Sequence, residues 1–216
     1  MFNFSPFGRR RLLVTALGCL VILVPAIFYK EVLEHIAARL VHEDSPAVSD
    51  MILIEVWNQP SVDTLRTAAE LIARGYSHRV AVTRYIQNDR LARAGLTLPR
   101  RYDEIVDIFL EEVGLDPRSV ERIPINPEDP ITLNLVKQFA EYARHAGIKS
   151  VIVVTEPYHS RRSFMAYSQA LAGSVRVKVY PSASGLQVSN WWKTKDGIFE
   201  VFQESLKLEY YRIFYF

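Results

Sequence analysis

Short apolar runs alternate with longer amphipathic segments along residues 50–216 of this chain. The apolar runs are rich in valine and isoleucine, and they predict strands over residues 51–56, 79–83, 120–125, 150–154 and 175–180. The segments between them repeat apolar residues at helical spacing, which predicts helices over residues 62–74, 101–113, 131–146, 163–171 and 196–211. This alternation predicts an α/β fold with a mostly parallel sheet and right-handed crossovers.

The N-terminal part of the chain has a different pattern. Residues 12–29 contain no charged side chain, and they directly follow Arg9, Arg10 and Arg11. A helix of this length spans about 27 Å, close to the hydrocarbon thickness of a bilayer. The sequence therefore predicts a transmembrane anchor over residues 12–29. Basic residues favour the cytoplasmic side, so residues 1–11 would be cytoplasmic, residues 30–49 a stalk and linker, and residues 50–216 an extracytoplasmic domain.

Two other interpretations of residues 12–29 stay open. A cleaved signal peptide would need a small-x-small site, and none follows the segment cleanly. A lipobox would use Gly18 and Cys19, but Ala16 stands where leucine is usual, and the apolar run continues past the cysteine. Because Cys19 is the only cysteine, residues 50–216 contain no disulfide, no catalytic cysteine and no cysteine-ligated metal.

Charge is nearly balanced outside the N-terminal segment. The chain has 26 Lys and Arg against 24 Asp and Glu, and residues 1–39 hold five of the basic and two of the acidic side chains. No basic face or low-complexity tail is present, so we expect no nucleic-acid partner. The five histidines are scattered, and no pair has the spacing of a helical zinc site.

The densest candidate chemistry follows the fourth predicted strand, in the run Thr155, Glu156, Pro157, Tyr158, His159, Ser160, Arg161 and Arg162. In parallel α/β sheets, ligands bind at the carboxyl ends of the strands. The helix that begins here adds free backbone N–H groups and a partial positive charge. We therefore predict a site for a small anion such as a phosphate or a carboxylate.

Each side chain of this run has an expected role. His159 is the candidate acid–base group, because an imidazole titrates near neutral pH, although it could instead only bond a neighbouring loop. Arg162 lies on the same helical face and could hold a phosphate through two parallel hydrogen bonds. Arg161 is expected to support the ligand or to form an ion pair. Thr155 could donate a hydroxyl hydrogen bond to the ligand or cap the strand. Tyr158 could stack on a ring of the ligand, although packing beside the end of the sheet is the commoner outcome for a tyrosine.

The run Val-Val-Thr-Glu-Pro-Tyr-His-Ser-Arg-Arg at residues 153–162 resembles the signature of the YdcF/SanA/ElyC-like family of bacterial envelope proteins. The resemblance spans roughly residues 50–211. It implies a Rossmann-like three-layer α/β/α sandwich behind one N-terminal anchor in the bacterial inner membrane. It also implies a part in cell-envelope and peptidoglycan-related processes, and most members of the family have no assigned reaction.

Other loops stand where the family completes its pocket. A glycine-rich turn is expected after the first strand, but residues 57–60 contain no glycine, and Asn58 is the expected ligand contact. A Ser-Gly-Gly turn is common after the second strand, where this chain has Arg84, a further expected ligand contact, and Tyr85. The resemblance places Thr132 at the ligand, and after a small shift Glu128 or Asp129 could substitute for a family glutamate. The absent glycines argue against a nucleotide cofactor, and the cofactor stays unknown.

Three functions remain open, and the missing glycine turns favour the first and the third of them over the second. The chain could be an envelope-biogenesis protein that binds an anionic, phosphorylated metabolite or a lipid-linked glycan intermediate. It could be a hydrolase or transferase with His159 as its acid–base group and Glu128, Asp129 or Glu156 as the partner. It could also be a non-catalytic envelope interaction module that has lost its pocket chemistry.

The last predicted helix combines charged and aromatic residues. Glu200, Glu204 and Lys207 are expected to keep one of its faces in water. Its aromatic end, residues 208–216, has two interpretations. Packing against the core or a partner is the commoner use of such a stripe, and contact with the bilayer near the anchor is the alternative.

Overall fold

A computed structural model describes residues 14–15, 28–56, 61–85, 98–183 and 187–216, with the backbone alone for residues 98–102. The strands of this part are β1 Met51–Ile54, β2 Val80–Tyr85, β3 Val120–Ile125, β4 Ser150–Thr155 and β5 Arg176–Pro181. Its helices are α1 Tyr29–Ala38, α2 Val62–Ala73, α3 Leu98–Glu112, α4 Ile131–Ala146, α5 Ser160–Ala170 and α6 Lys195–Phe214. A 3-10 turn, Pro157–His159, joins β4 to α5. Every strand and helix predicted for residues 50–216 is present.

The five strands form one parallel sheet in the order β3-β2-β1-β4-β5. From β1 the chain moves outward to β2 and β3, then crosses back to β4 and moves outward on the other side. The strand order therefore reverses between β1 and β4. This order is that of a Rossmann-like α/β fold, so the predicted fold class is confirmed for the domain.

Two apolar clusters show that helices cover both faces of the sheet. On one face, Leu135 and Phe139 of α4 and Ala166 of α5 pack against strand residues such as Leu53. On the other face, Leu65 of α2 and Leu110 of α3 pack against the alternate strand residues. All residues of β1 and β4 are buried, as expected for central parallel strands with both faces covered. The domain is thus a three-layer α/β/α sandwich.

The linker before the domain closes the free edge of β5. Asp44 donates its backbone N–H to Val179 O at 2.9 Å, and its side chain accepts from Val179 N at 2.9 Å. β5 is an edge strand of the sheet, and most of its residues are partly exposed. Bonding by Asp44 occupies backbone groups that an open edge would otherwise offer to another chain.

The structure covers only part of the predicted anchor. Within the described ranges, none of the helices combines the length and the apolar character that crossing a bilayer requires. Residues 16–27 of the predicted anchor lie outside those ranges. The helix α1 begins at the end of the predicted anchor, and its Ala37 and the following Leu40 are buried against Val201 and Leu208 of α6.

Candidate functional site

A cleft of about 230 Å³ opens at the carboxyl ends of β1 and β4. These are the strands between which the strand order reverses, and open α/β sheets bind ligands at this crevice. The end of β1, the start of α2, the end of β4 and one face of α6 supply its lining, which includes Glu55, Ser61, Thr64, Thr155, Glu156, His159, Glu200, Gln203, Glu204 and Lys207. The predicted position of a ligand site therefore coincides with an actual cleft.

His159 lies between two buried carboxylates in this cleft. Its Nε2 is 3.2 Å from Glu55 Oε1, and its Nδ1 is 3.3 Å from Glu204 Oε2. Ser163 Oγ donates to the second oxygen of Glu55 at 2.6 Å. The side chain of His159 keeps 13% of its surface exposed, whereas that of Glu55 keeps 3%. The imidazole is therefore fixed by its neighbours and still borders the cleft.

Arg162 forms the inner layer of the same cluster. Its Nε and Nη2 donate to the two oxygens of Glu204 at 2.9 and 3.0 Å, and its Nη1 donates to Thr132 Oγ1. The guanidinium also lies 5.2 Å from the ring centre of Tyr211. Arg162 is 6% exposed, so this paired geometry is buried. Its hydrogen-bonding capacity is directed to the protein.

The charges of the cluster set the pKa values of its members. Burial raises the pKa of Glu55, but the charge and hydrogen bond of His159 outweigh that effect and leave the net pKa below its usual value. Burial raises the pKa of Glu204 as well, and His159, Arg162 and Lys207 hold it well below its usual range. Burial and Arg162 lower the pKa of His159, whereas Glu55 and Glu204 raise it, and the net pKa lies above its ordinary value. Both carboxylates are therefore ionised at neutral pH.

Both protonation states of His159 have hydrogen-bond partners. In the neutral form, Nε2–H donates to Glu55 while Nδ1 accepts from Arg162 Nη2 at 2.8 Å. In the protonated form, Nδ1–H donates to Glu204. A ring that gains or loses a proton without losing its partners is suited to general acid–base chemistry.

Glu200 brings a second titrating group to the cleft. Burial, with the charges of Glu156 and Glu204, raises the pKa of Glu200 to about 7, against an opposite effect of His159. Glu156 lies across from α6, where it accepts from Thr64 Oγ1 at 3.0 Å. A carboxyl group with a pKa near neutral pH, in a cleft at the switch point of the sheet, can give or take a proton at physiological pH.

Replacing Glu200 by glutamine is expected to stabilise the protein at pH 8 by about 1 to 2 kcal/mol and to change little at pH 5. Because the pKa is raised on folding, the folded state holds the proton more tightly than the unfolded state. Ionisation therefore destabilises the fold as the pH rises from about 4.5 through about 7. Denaturant unfolding of the full chain in detergent micelles measures the effect. The control is Glu70→Gln, at an exposed position on α2, and equal E200Q effects at the two pH values would contradict the assignment.

The N-terminus of α5 is covered by the linker. Arg161 N donates to Leu40 O at 3.0 Å, and Arg161 Nη2 donates to Val41 O at 2.9 Å. His42 N donates to Ser160 Oγ at 2.8 Å, and its ring stacks on Phe164 at a centroid distance of 3.6 Å. The backbone groups and the guanidinium expected to meet an anion therefore hold the linker in place.

The charged groups that line the cleft are mainly acidic. Its lining contains the four carboxylates Glu55, Glu156, Glu200 and Glu204 together with the cations Arg162 and Lys207. Lys207 Nζ donates to Glu204 Oε1 at 2.9 Å. Despite these carboxylates, no group of three or more metal-ligating side chains with the arrangement of a metal site occurs in the described ranges. The imidazole and the carboxyl groups of this lining can exchange protons.

The sequence matches no protein-family model and no curated protein. Among solved structures, the chain is similar to the universal stress protein from Archaeoglobus fulgidus, with 13% identity over 62% of this chain and 94% of that chain and a TM-score of 0.39. It is also similar to the aureusimine biosynthetic cluster reductase domain, with 15% identity over 69% of this chain and 54% of that chain and a TM-score of 0.31. Similarities this weak carry no argument about function, and the resemblance to envelope proteins stays a prediction.

Several residues predicted from the sequence meet in the cleft. Thr155 and His159 line it, and Arg162 and Thr132 meet directly behind it. The juxtaposition of His159 and Arg162 is therefore present, with both side chains bonded to carboxylates of their own chain. Of the proposed carboxylate partners, Glu156 lines the cleft, whereas Glu128 is exposed and its backbone O accepts from Asn134.

Other predicted contacts have different surroundings. Tyr158 is buried among Leu40, Trp191 and Leu208, and its hydroxyl has no hydrogen-bond partner among the described atoms. Arg84 forms an ion pair with Asp103 at 2.6 Å. Arg161 bonds the linker. Asn58 and the rest of residues 57–60 lie outside the described ranges.

Glu55 and Glu204, the carboxylates that bond His159, were not among its predicted partners. Glu55 directly follows β1, a position that the sequence assigns to the cleft without a role for its side chain. Glu204 was expected in water, but it is 6% exposed and bonds Arg162 and His159. The prediction of a wet face at Glu200, Glu204 and Lys207 was therefore wrong for Glu204, because that face of α6 lies over the cleft. Glu200 and Glu204 are one helical turn apart, and this spacing was the sequence signal that both carboxylates lie on the same face of α6.

Proposed function

We propose that the switch-point cleft is the active site of a hydrolase or transferase that uses His159 as its acid–base group. The supporting observation is the arrangement of His159 between Glu55 and Glu204 at the border of an open cleft. Glu55 orients the ring and stabilises its protonated form, and Arg162 holds Glu204 in place. Glu200 supplies a second proton donor or acceptor on the facing helix.

The proposed substrate is a lipid-linked glycan intermediate of the bacterial cell envelope, because its hydroxyl-rich head suits a cleft lined mainly by carboxylates better than a phosphorylated metabolite does. The proposal places the domain outside the inner membrane, behind a single anchor at residues 12–29. The apolar run and the triple arginine support this placement. Lys207 is the cleft cation nearest to solvent, and its partly exposed side chain could meet an anionic group of the substrate.

A non-catalytic binding protein is the second candidate. The observation that favours it is the engagement of both ring nitrogens of His159 by protein groups. In that case the cluster would shape the cleft, and the ligand would contact the outer groups Gln203 and Lys207.

A panel of chromogenic compounds distinguishes the two candidates. The full chain in detergent micelles is tested against a phosphomonoester, a phosphodiester, a glycoside and a carboxylic ester, and each is also tested for thermal stabilisation. The catalytic proposal predicts turnover of one class, with a rate that changes with pH near 7 because Glu200 titrates there. If an anionic compound stabilised the protein but was not turned over, the catalytic proposal would be wrong and the binding function would be supported. If no compound were turned over and none stabilised the protein, the non-catalytic interaction module would be the remaining function.

A further inference from the structure

The helix α6 carries an apolar stripe on the side that faces away from the domain. Val201, Leu208 and Tyr211 are buried on the inner side of this helix. Large apolar residues on the opposite side are exposed, with Phe202 at 63% and Ile213 at 72%. The stripe consists of Phe199, Phe202, Leu206, Tyr210, Ile213 and Phe214. At about 100° per residue, most of these positions fall within about 120° of the helix circumference, so they form one continuous surface.

The stripe continues onto α1, the helix that leads out of the predicted anchor. Phe28, Tyr29 and Val32 at the start of α1 are exposed. Trp191 Nε1 donates to Leu33 O at 3.0 Å, and Arg39 pairs with Glu209 at 2.9 Å, so α1 is held beside α6. The start of α1, which follows the uncharged run of residues 12–27 in the sequence, is therefore held near α6.

We propose that the stripe on α6 and the start of α1 dock on the surface of the lipid bilayer in which the chain is anchored. Aromatic and aliphatic side chains on one face of a helix bind the boundary between headgroups and acyl chains. Lys193 and Lys195, both exposed at the start of α6, supply positive charge for anionic headgroups. The proposal rests on the anchor of the proposed function, and it adds the orientation of the domain.

This orientation makes α6 the wall between the cleft and the membrane. Glu200, Glu204 and Lys207 project from α6 into the cleft, whereas Phe202 and Leu206 project toward the bilayer. A substrate with a lipid tail could then leave its tail in the bilayer while its polar headgroup enters the cleft. The substrate class that this geometry fits is an amphiphile with a polar, hydroxyl-rich or phosphorylated head.

Site-specific fluorescence in nanodiscs tests the docking. In a Cys19→Ser background, which has no other cysteine, single variants Phe202→Cys and Ile213→Cys are labelled with a polarity-sensitive dye. The control is Ile108→Cys, an isoleucine that is 59% exposed on α3. We expect a blue shift and at least threefold stronger quenching by nitroxide lipids at positions 202 and 213 than at 108. Equal quenching at the three positions in nanodiscs that retain the chain would overturn the docking and leave the anchor intact.

Two further results separate docking from other causes. If the labels at positions 202 and 213 were shielded from water in detergent and the apparent mass on gel filtration doubled, a second copy of the chain would cover the stripe. That result would overturn the proposal. The double variant Phe202→Asp with Leu206→Asp is expected to lose the lipid quenching at position 213. It should retain turnover of any soluble compound found with the panel, since neither residue lines the cleft. Retained quenching in this variant would contradict the role of the stripe.

Discussion

Replacing Arg162 by alanine is expected to lower the free energy of unfolding by about 3 to 5 kcal/mol. The substitution leaves Glu204 buried without its bidentate partner, and it leaves Thr132 Oγ1 without its guanidinium donor. Lys207 still pairs with Glu204, but it approaches from the partly exposed side. The cost arises mainly because the buried charge of Glu204 loses its bidentate partner, since the net value of an intact buried pair is smaller than the cost of breaking it.

Arg118→Ala is the matched control for this measurement. Arg118 also bonds both oxygens of a carboxylate, that of Asp116, but its side chain is 90% exposed. We expect a change of at most about 0.5 kcal/mol there. The double variant Arg162→Met with Glu204→Leu removes both buried charges and is expected to be less destabilised than R162A. An R162A effect no larger than that of R118A, by denaturant unfolding in micelles, would contradict the buried cluster.

Replacing His159 by glutamine is expected to reduce turnover of any compound found with the panel by about 10² to 10⁴-fold. Glutamine can bond Glu55 and Glu204 but cannot exchange a proton at neutral pH. Glu55→Gln keeps the shape of the carboxyl group and removes its charge. It should reduce turnover as well, because the protonated ring loses one of the two carboxylates that raise its pKa.

Two substitutions outside the cleft control for these effects. His145 is exposed on α4, where its ring bonds Glu141 O, so His145→Gln should leave turnover unchanged. Glu128→Gln tests the carboxylate that sequence reasoning offered as a partner, and its exposed position predicts no loss. Turnover of H159Q within about threefold of the unsubstituted protein would remove the acid–base role. If E128Q lost as much turnover as E55Q, the assignment of Glu55 as the functional partner of His159 would be wrong.

The order of strands and helices was predictable because it is encoded locally. Residues 151–154 form a run of apolar β-branched residues that favours a buried strand, and Gly147 ends α4 in the left-handed conformation. The position of the cleft followed from the same pattern, since the carboxyl ends of parallel strands meet at one edge of the sheet. His159 and Arg162 were predicted to be neighbours because they are one helical turn apart.

The partners of these two residues depend on tertiary packing. Glu55 lies 104 positions before His159, and Glu204 lies 45 positions after it. No local pattern links residues so far apart. In α6, apolar residues occupy opposite sides of the helix, with Val201 and Leu208 inward and Phe202 and Leu206 outward. Periodicity alone therefore could not decide which face of α6 is buried. The usual assumption that a charged helix face is exposed to water led to the prediction that Glu200 and Glu204 are solvated.

Titration of the histidine rings by NMR tests the central claim, that Glu55 and Glu204 together control the proton of His159. The spectra of the full chain in micelles are assigned by single His→Gln substitutions. The account predicts that the pKa of His159 lies above its ordinary value of 6.5 and falls in E55Q. A ring of His159 that titrates at 6.5 or below, with the same pKa in E55Q, would contradict it.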